Sequence, residues 1–232
     1  VLSAGERRVL GALVEKAKTT PDAYPMSLNS LVTACNQKTN RDPISSYADV
    51  EIEQFLTSAQ RKGLVLKTIT GTGRVTRWRH ELYSAWHVDK VELAVLAELL
   101  LRGPQTEGEL RSRASRMEPI DELEALRTVL RGLAQRGFVV YLTPEGRRGT
   151  IVAHGLYEPE ELVKLKAGTT FHDEPDASPR HAPAQSAFEE SALHVLQQDM
   201  AALKASLAEM HAQLMVLAAR VKRLEEPTGS VN

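Results

Sequence analysis

The stretch AQRKGLVLK at residues 59 to 67 returns as AQRGFVVYL at residues 134 to 142, one basic residue shorter. In each copy a polar helical turn meets a glycine and then a branched apolar run, the pattern of a helix, its C-cap and a strand. Gly63 and Gly137 supply the left-handed residue that ends each helix, and Leu64-Val65-Leu66 and Phe138-Val139-Val140 begin the strands. A chain that writes this unit twice is constrained to fold as a duplication.

The flanking periodicity extends the repeat. Val9, Leu10, Leu13 and Val14 share one helical face, as do Val95, Leu96, Leu99 and Leu100. A second helix follows Ser27 in one repeat and the Thr106/Glu109 capping box in the other. A third carries Val50, Ile52, Phe55, Leu56 and Ala59, matched by Leu123, Leu126, Val129, Leu130 and Leu133. Hairpins then run from Leu64 to Leu82 and from Phe138 to Leu156. Three helices and a hairpin are the winged-helix plan, a helix-turn-helix variant. The first repeat is longer, with TTPDAYPM and NQKTNRDPISS as added connections.

The expected class is mainly α with small β-hairpins (α+β): winged-helix domains at 1–86 and 87–166, a flexible linker at 167–185 and a coiled-coil helix at 186–226. The linker AGTTFHDEPDASPRHAPAQ is proline-bearing and nearly free of apolar residues. Beyond it, Leu193, Met200, Leu207, Leu214 and Val221 fill one heptad position, and Leu196, Leu203, Met210, Leu217 and Leu224 fill the other. Apolar spacing that alternates three and four over this length predicts a homo-oligomer, the alternative being a helix folded back on its own winged-helix domains.

The segments ERRVLGALVEKAKTTPDAYPMSLNSLVTACNQKTNRDP and LLLRGPQTEGELRSRASRM closely resemble the YceH-like bacterial family of unknown function. The resemblance covers roughly residues 2 to 157 and implies a tandem winged-helix fold. It brings no activity, substrate or catalytic residue.

Bulk properties narrow the function. With 42% hydrophobic residues the chain can build cores, and its apolar run around Leu93 to Leu101 is too short for a membrane span. Without a charged-then-apolar leader, and with Cys35 as the single cysteine, a cytoplasmic location is the expectation. Residues 1 to 90 hold 13 Lys/Arg against 9 Asp/Glu, residues 91 to 168 hold 11 against 12, and residues 169 to 232 hold 5 against 9. Only the first third leans basic, a mild footprint for a nucleic-acid partner.

The seven histidines show neither metal-ligand spacing nor a cysteine partner, and HDEPD at 172 to 176 reads as solvated coil. GTGR at 71 to 74 has no following helix to aim at a phosphate, so a hairpin turn is the reading. Cys35 has no catalytic partner in sequence and reads as a small buried hydrophobe. No cofactor, no metal and no enzymatic activity are expected.

Two groups of residues remain. Lys67, Arg74, Arg77 and Arg79 make the first hairpin basic, and Arg77 and Arg79 share a strand face suited to a phosphate backbone. The alternative is a solubilising surface with Trp78 packed inward. Asn36, Gln37, Lys38, Asn40 and Arg41 form a polar run able to read bases or hold phosphates, or else to cap helices and brace the loop. Against groove insertion stand Asp49, Glu51 and Glu53, and Asp121, Glu122 and Glu124, which open the third helices with negative charge. The leading expectation is a transcriptional regulator that binds double-stranded DNA through its first wing. The alternative is an adaptor whose winged helices dock other proteins.

Overall fold

The computed structural model describes residues 1–69 and 76–168. The hairpin tip with Arg74, most of the expected linker and the whole expected coiled coil lie outside the described residues.

Helix α1 (Ala4–Thr19) starts at a capping box in which Ser3 and Glu6 satisfy each other's backbone N–H groups. A single 3-10 turn, strand β1 (Met26–Ser27) and helix α2 (Leu28–Cys35) follow, with Ser27 capping α2 as its spacing predicts. Helix α3 (Asp49–Arg61) leads into strands β2 (Val65–Ile69) and β3 (Thr76–His80), then a short helix α4 (Leu82–Trp86). The second repeat runs through α5 (Lys90–Arg102), β4 (Gln105–Thr106), α6 (Glu107–Ala114), α7 (Leu123–Gln135), β5 (Val139–Tyr141) and β6 (Ile151–His154), and α8 (Pro159–Gly168) closes the described part. The chain is thus mixed α and β, with small antiparallel sheets.

Both repeats stop the helix before the hairpin in the same way. Gly63 and Gly137 adopt φ of 71° and 75°, where a side chain would be strained, and each strand starts directly afterwards. Each sheet has three strands, in the orders β1-β3-β2 and β4-β6-β5. The first strand of each sheet is only two residues long, pairing Met26 with Trp78 and Gln105 with Val152. Neither strand is expected from the sequence, because two residues carry no measurable alternation.

The two repeats share one hydrophobic cluster, built around α1 and α5. Val9 to Val14 and Leu93 to Leu101 are buried on every side, and a helix that is buried all round belongs inside a core. Gly11 sets how closely these helices approach: a Cβ there would lie 2.7 Å from the Leu101 side chain and 3.2 Å from the Ala97 carbonyl oxygen. Among the described residues, no helix is long and apolar enough to cross a membrane.

Candidate nucleic-acid interface

The register of the first hairpin decides which of its cations face solvent. Val65 pairs with His80, Lys67 with Trp78, and Leu66 with Arg79, so alternate residues fall on opposite faces. Trp78 is buried in the core at 4% exposure, which turns Arg77 and Arg79 to the other face. Lys67 shares the Trp78 face, where its ammonium lies 5.5 Å from the indole centroid at the sheet margin. The hairpin therefore splits its cations: two arginines on the outer face and one lysine covering the edge of the tryptophan.

Both arginines already have partners. The Arg77 guanidinium donates to the Pro25 carbonyl at 2.8 Å, and Arg79 pairs with Glu81 at 2.9 Å with nearly half of its side chain exposed. The exposed Arg79–Glu81 pair adds little stability and can open to a stronger anion. Tyr24 fastens the same hairpin from the side, its hydroxyl accepting from the His80 backbone N–H at 2.7 Å. Burial holds the His80 imidazole down to about 4, helped by the positive charges of Lys18 and Arg79, so the ring is neutral near pH 7.

The polar loop is built differently. Asn36 ends α2 and braces the chain across the loop, donating to the Tyr47 carbonyl at 2.8 Å and accepting from the Tyr47 N–H at 2.7 Å. Gln37 accepts from Lys16 at 3.3 Å and donates to Thr39 at 3.0 Å. Asn40 sits at φ 60° and accepts from Arg102 and Arg116 of the second repeat, so it ties the repeats together. Lys38 alone of the five is exposed.

Arg41 corrects the sequence expectation most sharply. Its side chain has no solvent exposure, and its guanidinium donates to both Glu15 carboxylate oxygens at 3.1 and 2.6 Å, with further bonds to the Ala34 and Asn40 carbonyls at 3.0 and 2.8 Å. Burial pushes the Glu15 carboxyl up, but Arg41 and Lys16 outweigh it and hold the group below its ordinary range. A cation paired and hydrogen-bonded in this way cannot reach a phosphate without unfolding the loop. It leaves the candidate interface.

The predicted residues therefore do not form one surface: Arg41 is buried, and Lys67 lies on the hairpin face opposite Arg77 and Arg79. Arg41 faces inward and Asn40 reaches the second repeat, to which Lys18 of α1 is also tied by its pair with Glu118 at 2.6 Å. Among the exposed cations that the sequence reading did not single out is Arg61. It is exposed at the end of α3 and lines a groove with Val50, Glu53, Gln54 and Thr57, all on one face of the helix. Cys35 is buried, and burial pushes its thiol up to about 12, which suppresses nucleophilic chemistry. No group of acids, histidines and cysteines among the described residues could hold a metal.

Comparison with known proteins places this geometry in a family. The family model described as "Protein of unknown function, DUF480" matches residues 2–147. A UPF0502 protein of Rhodopirellula baltica is 46% identical over 185 residues, covering 80% of this chain and 77% of that one. One from Geotalea uraniireducens is 53% identical over 131 residues, 56% of this chain and 59% of its own, so the match spans about three-fifths of that relative. A third, from Aeromonas hydrophila, is 39% identical over 231 residues, covering 97% and 98% of the two chains. A family model that matches well over half of the chain, and relatives this similar over most of its length, show that the chain belongs to the DUF480 family, also called UPF0502.

Proposed function

We propose that each repeat is a winged-helix module, with β2–β3 and β5–β6 as the wings, and that the chain is a non-enzymatic regulator that binds duplex DNA through the first wing. The observation that carries this reading is the outer face of β3. Arg77 and Arg79 stand there side by side, while burial of Trp78 fixes the strand so that they cannot turn inward. A rigid hairpin presenting cations at strand spacing suits a phosphate backbone. Lys67, on the opposite face of the hairpin, adds only to its overall positive charge, and Arg74 adds a further cation to the sequence between β2 and β3. A coiled coil over 186–226 would assemble the chain and multiply weak contacts into avidity.

A competing reading, protein docking, is favoured by the acidic openings of α3 and α7. Glu51 accepts from the Ala48 backbone N–H, and Asp121 and Glu122 border a groove with Val91, Ile120 and Val129. These carboxylates repel a phosphate backbone and suit a basic, partly apolar partner.

Fluorescence anisotropy of a labelled random duplex, titrated with the full chain at several salt concentrations, separates the readings. DNA binding predicts a negative slope of log affinity against log salt, reduced in Arg77→Ala/Arg79→Ala by about 0.9 per lost phosphate contact. No salt-dependent binding, or an unchanged slope in the double variant, removes the wing as a DNA interface.

A further inference from the structure

The seam between the repeats contains a cleft of about 210 Å³. Its walls come from α1 (Arg7, Arg8), the polar loop (Asp42, Pro43), the end of α5 (Arg102), and the last residue of β6 with the segment after it (His154, Tyr157). Three arginines in so small a space require an electrostatic account.

Arg7 has one. Its guanidinium forms a two-pronged pair with Glu161 at 2.8 and 2.9 Å, donates to the Leu2 carbonyl at 2.9 Å, and lies over the Tyr157 ring at 4.7 Å. Arg102 is partly accounted for: its Nε approaches Glu98 to 2.9 Å without hydrogen-bond alignment, and its Nη2 donates to Asn40.

Arg8 differs from both. It is only 4% exposed, its Nη2 donates to the Pro43 carbonyl, and its Nη1 has no hydrogen-bond partner among the described residues. Asp42 lines the same cleft and attracts Arg8 without forming an ion pair with it. A buried guanidinium short of an acceptor is costly, and a hydrophobic residue of similar volume would avoid that cost. Retaining it is understandable if an anion completes its coordination.

We propose that this cleft binds a small oxyanion, a carboxylate or phosphate group held by Arg8 and Arg102 across the seam between the two repeats. The planar guanidinium fork matches either group, and the volume admits a small metabolite but no polymer chain. His154 supports a donor-rich wall. Its Nδ1 accepts from the Leu156 N–H at 3.2 Å, so the neutral ring carries its proton on Nε2. Because the walls come from both repeats, an occupant would lock them together, whether or not the wing binds DNA.

The test uses the full chain and two probes, sodium phosphate and sodium succinate, each against sodium chloride at matched ionic strength. Titration calorimetry and thermal melting should show saturable binding, and a rise in melting temperature that follows occupancy, for at least one probe. Phosphate alone would assign a phosphate ester as the ligand class, and succinate alone a carboxylate. Arg8→Gln should weaken binding by on the order of tenfold or more, the effect of losing a charged hydrogen bond. If neither probe saturates, or if Arg8→Gln binds as the parent does, the site does not exist. Should Arg8→Gln fail to fold, Asp42→Asn decides: loss of the neighbouring negative charge should tighten binding severalfold, and an unchanged affinity overturns the proposal.

Discussion

The two hairpins are built on one frame and differ on one face. Counting 74 residues on from β3 gives β6: Trp78 corresponds to Val152, His80 to His154, Arg77 to Ile151 and Arg79 to Ala153. The core-facing positions keep their role in both, since Trp78 and Val152 are buried and each histidine pairs with the valine that opens the facing strand. The opposite face diverges completely. In the first repeat it carries a half-buried Arg77 and an exposed Arg79, and in the second a half-buried Ile151 and a fully buried Ala153. Packing holds the inward positions of a duplicated unit, while the outward positions are free to take a function or to be covered.

The largest expected effect tests what the first repeat gained from its longer loop. Arg41→Ala would leave the half-buried Glu15 with only Lys16 at 3.6 Å and remove the loop's own brace, and should cost about 3 kcal/mol in urea unfolding. A loss within experimental error would mean that the loop rides on the frame without supporting it. The parent pair also has a pH signature. Glu15 is held below its ordinary 4.5, so its contribution is fully present above 4.5 and is lost as pH falls through its lower folded value.

The matched histidines ask whether the frames are energetically alike. Burial lowers His80 to about 4 and His154 to about 3, against 6.5 when unfolded. Both are neutral in the fold, so each contributes stability that is present above 6.5 and lost as pH falls toward its folded value. The loss should be about 1.4 kcal/mol per pH unit for each, or roughly 2 kcal/mol each at pH 5. His154→Gln and His80→Gln should each flatten the dependence of unfolding free energy on pH, and an unaltered slope would show that the ring is not the titrating group.

Exchanging the outward faces sharpens the functional half of the comparison. Arg77→Ile with Arg79→Ala gives the first hairpin the surface of the second and should lower duplex affinity at low salt about tenfold, from two lost phosphate contacts. Ile151→Arg in that background should restore part of the salt slope only if hairpin geometry suffices for binding.

The smallest effect tests equivalence of the stops. Gly63→Ala and Gly137→Ala place a side chain at positive φ where a Cβ would touch nothing, so each should cost about 1 kcal/mol through backbone strain alone. Thermal melts differing by more than this between the two variants would show that the repeats are not stopped alike.

Legibility followed the range of the interaction. The caps at Ser27 and Thr106, the glycine stops and the apolar faces of α1 and α5 are encoded within a few residues and were readable, while the Ser3–Glu6 box, equally local, was passed over. The two-residue strands β1 and β4 were not, since the β3 and β6 edges alone make them strands. The run from Asn36 to Arg41 reads as a polar surface by composition, yet its geometry is set by Glu15 on α1, Tyr47 beyond the loop and Arg102 on the second repeat.

What the sequence determined by itself is the duplicated order of helices, stops and strands, and the side of each strand on which Arg77 and Arg79 fall, because both follow from backbone periodicity and local caps. Tertiary structure alone decided that the repeats join through α1 and α5, that Arg41 is consumed by a half-buried carboxylate, and that Arg8 meets Arg102 in a cleft at the seam. Those outcomes depend on which residues distant in the chain compete for the same space and charge, a competition settled only when the helices pack.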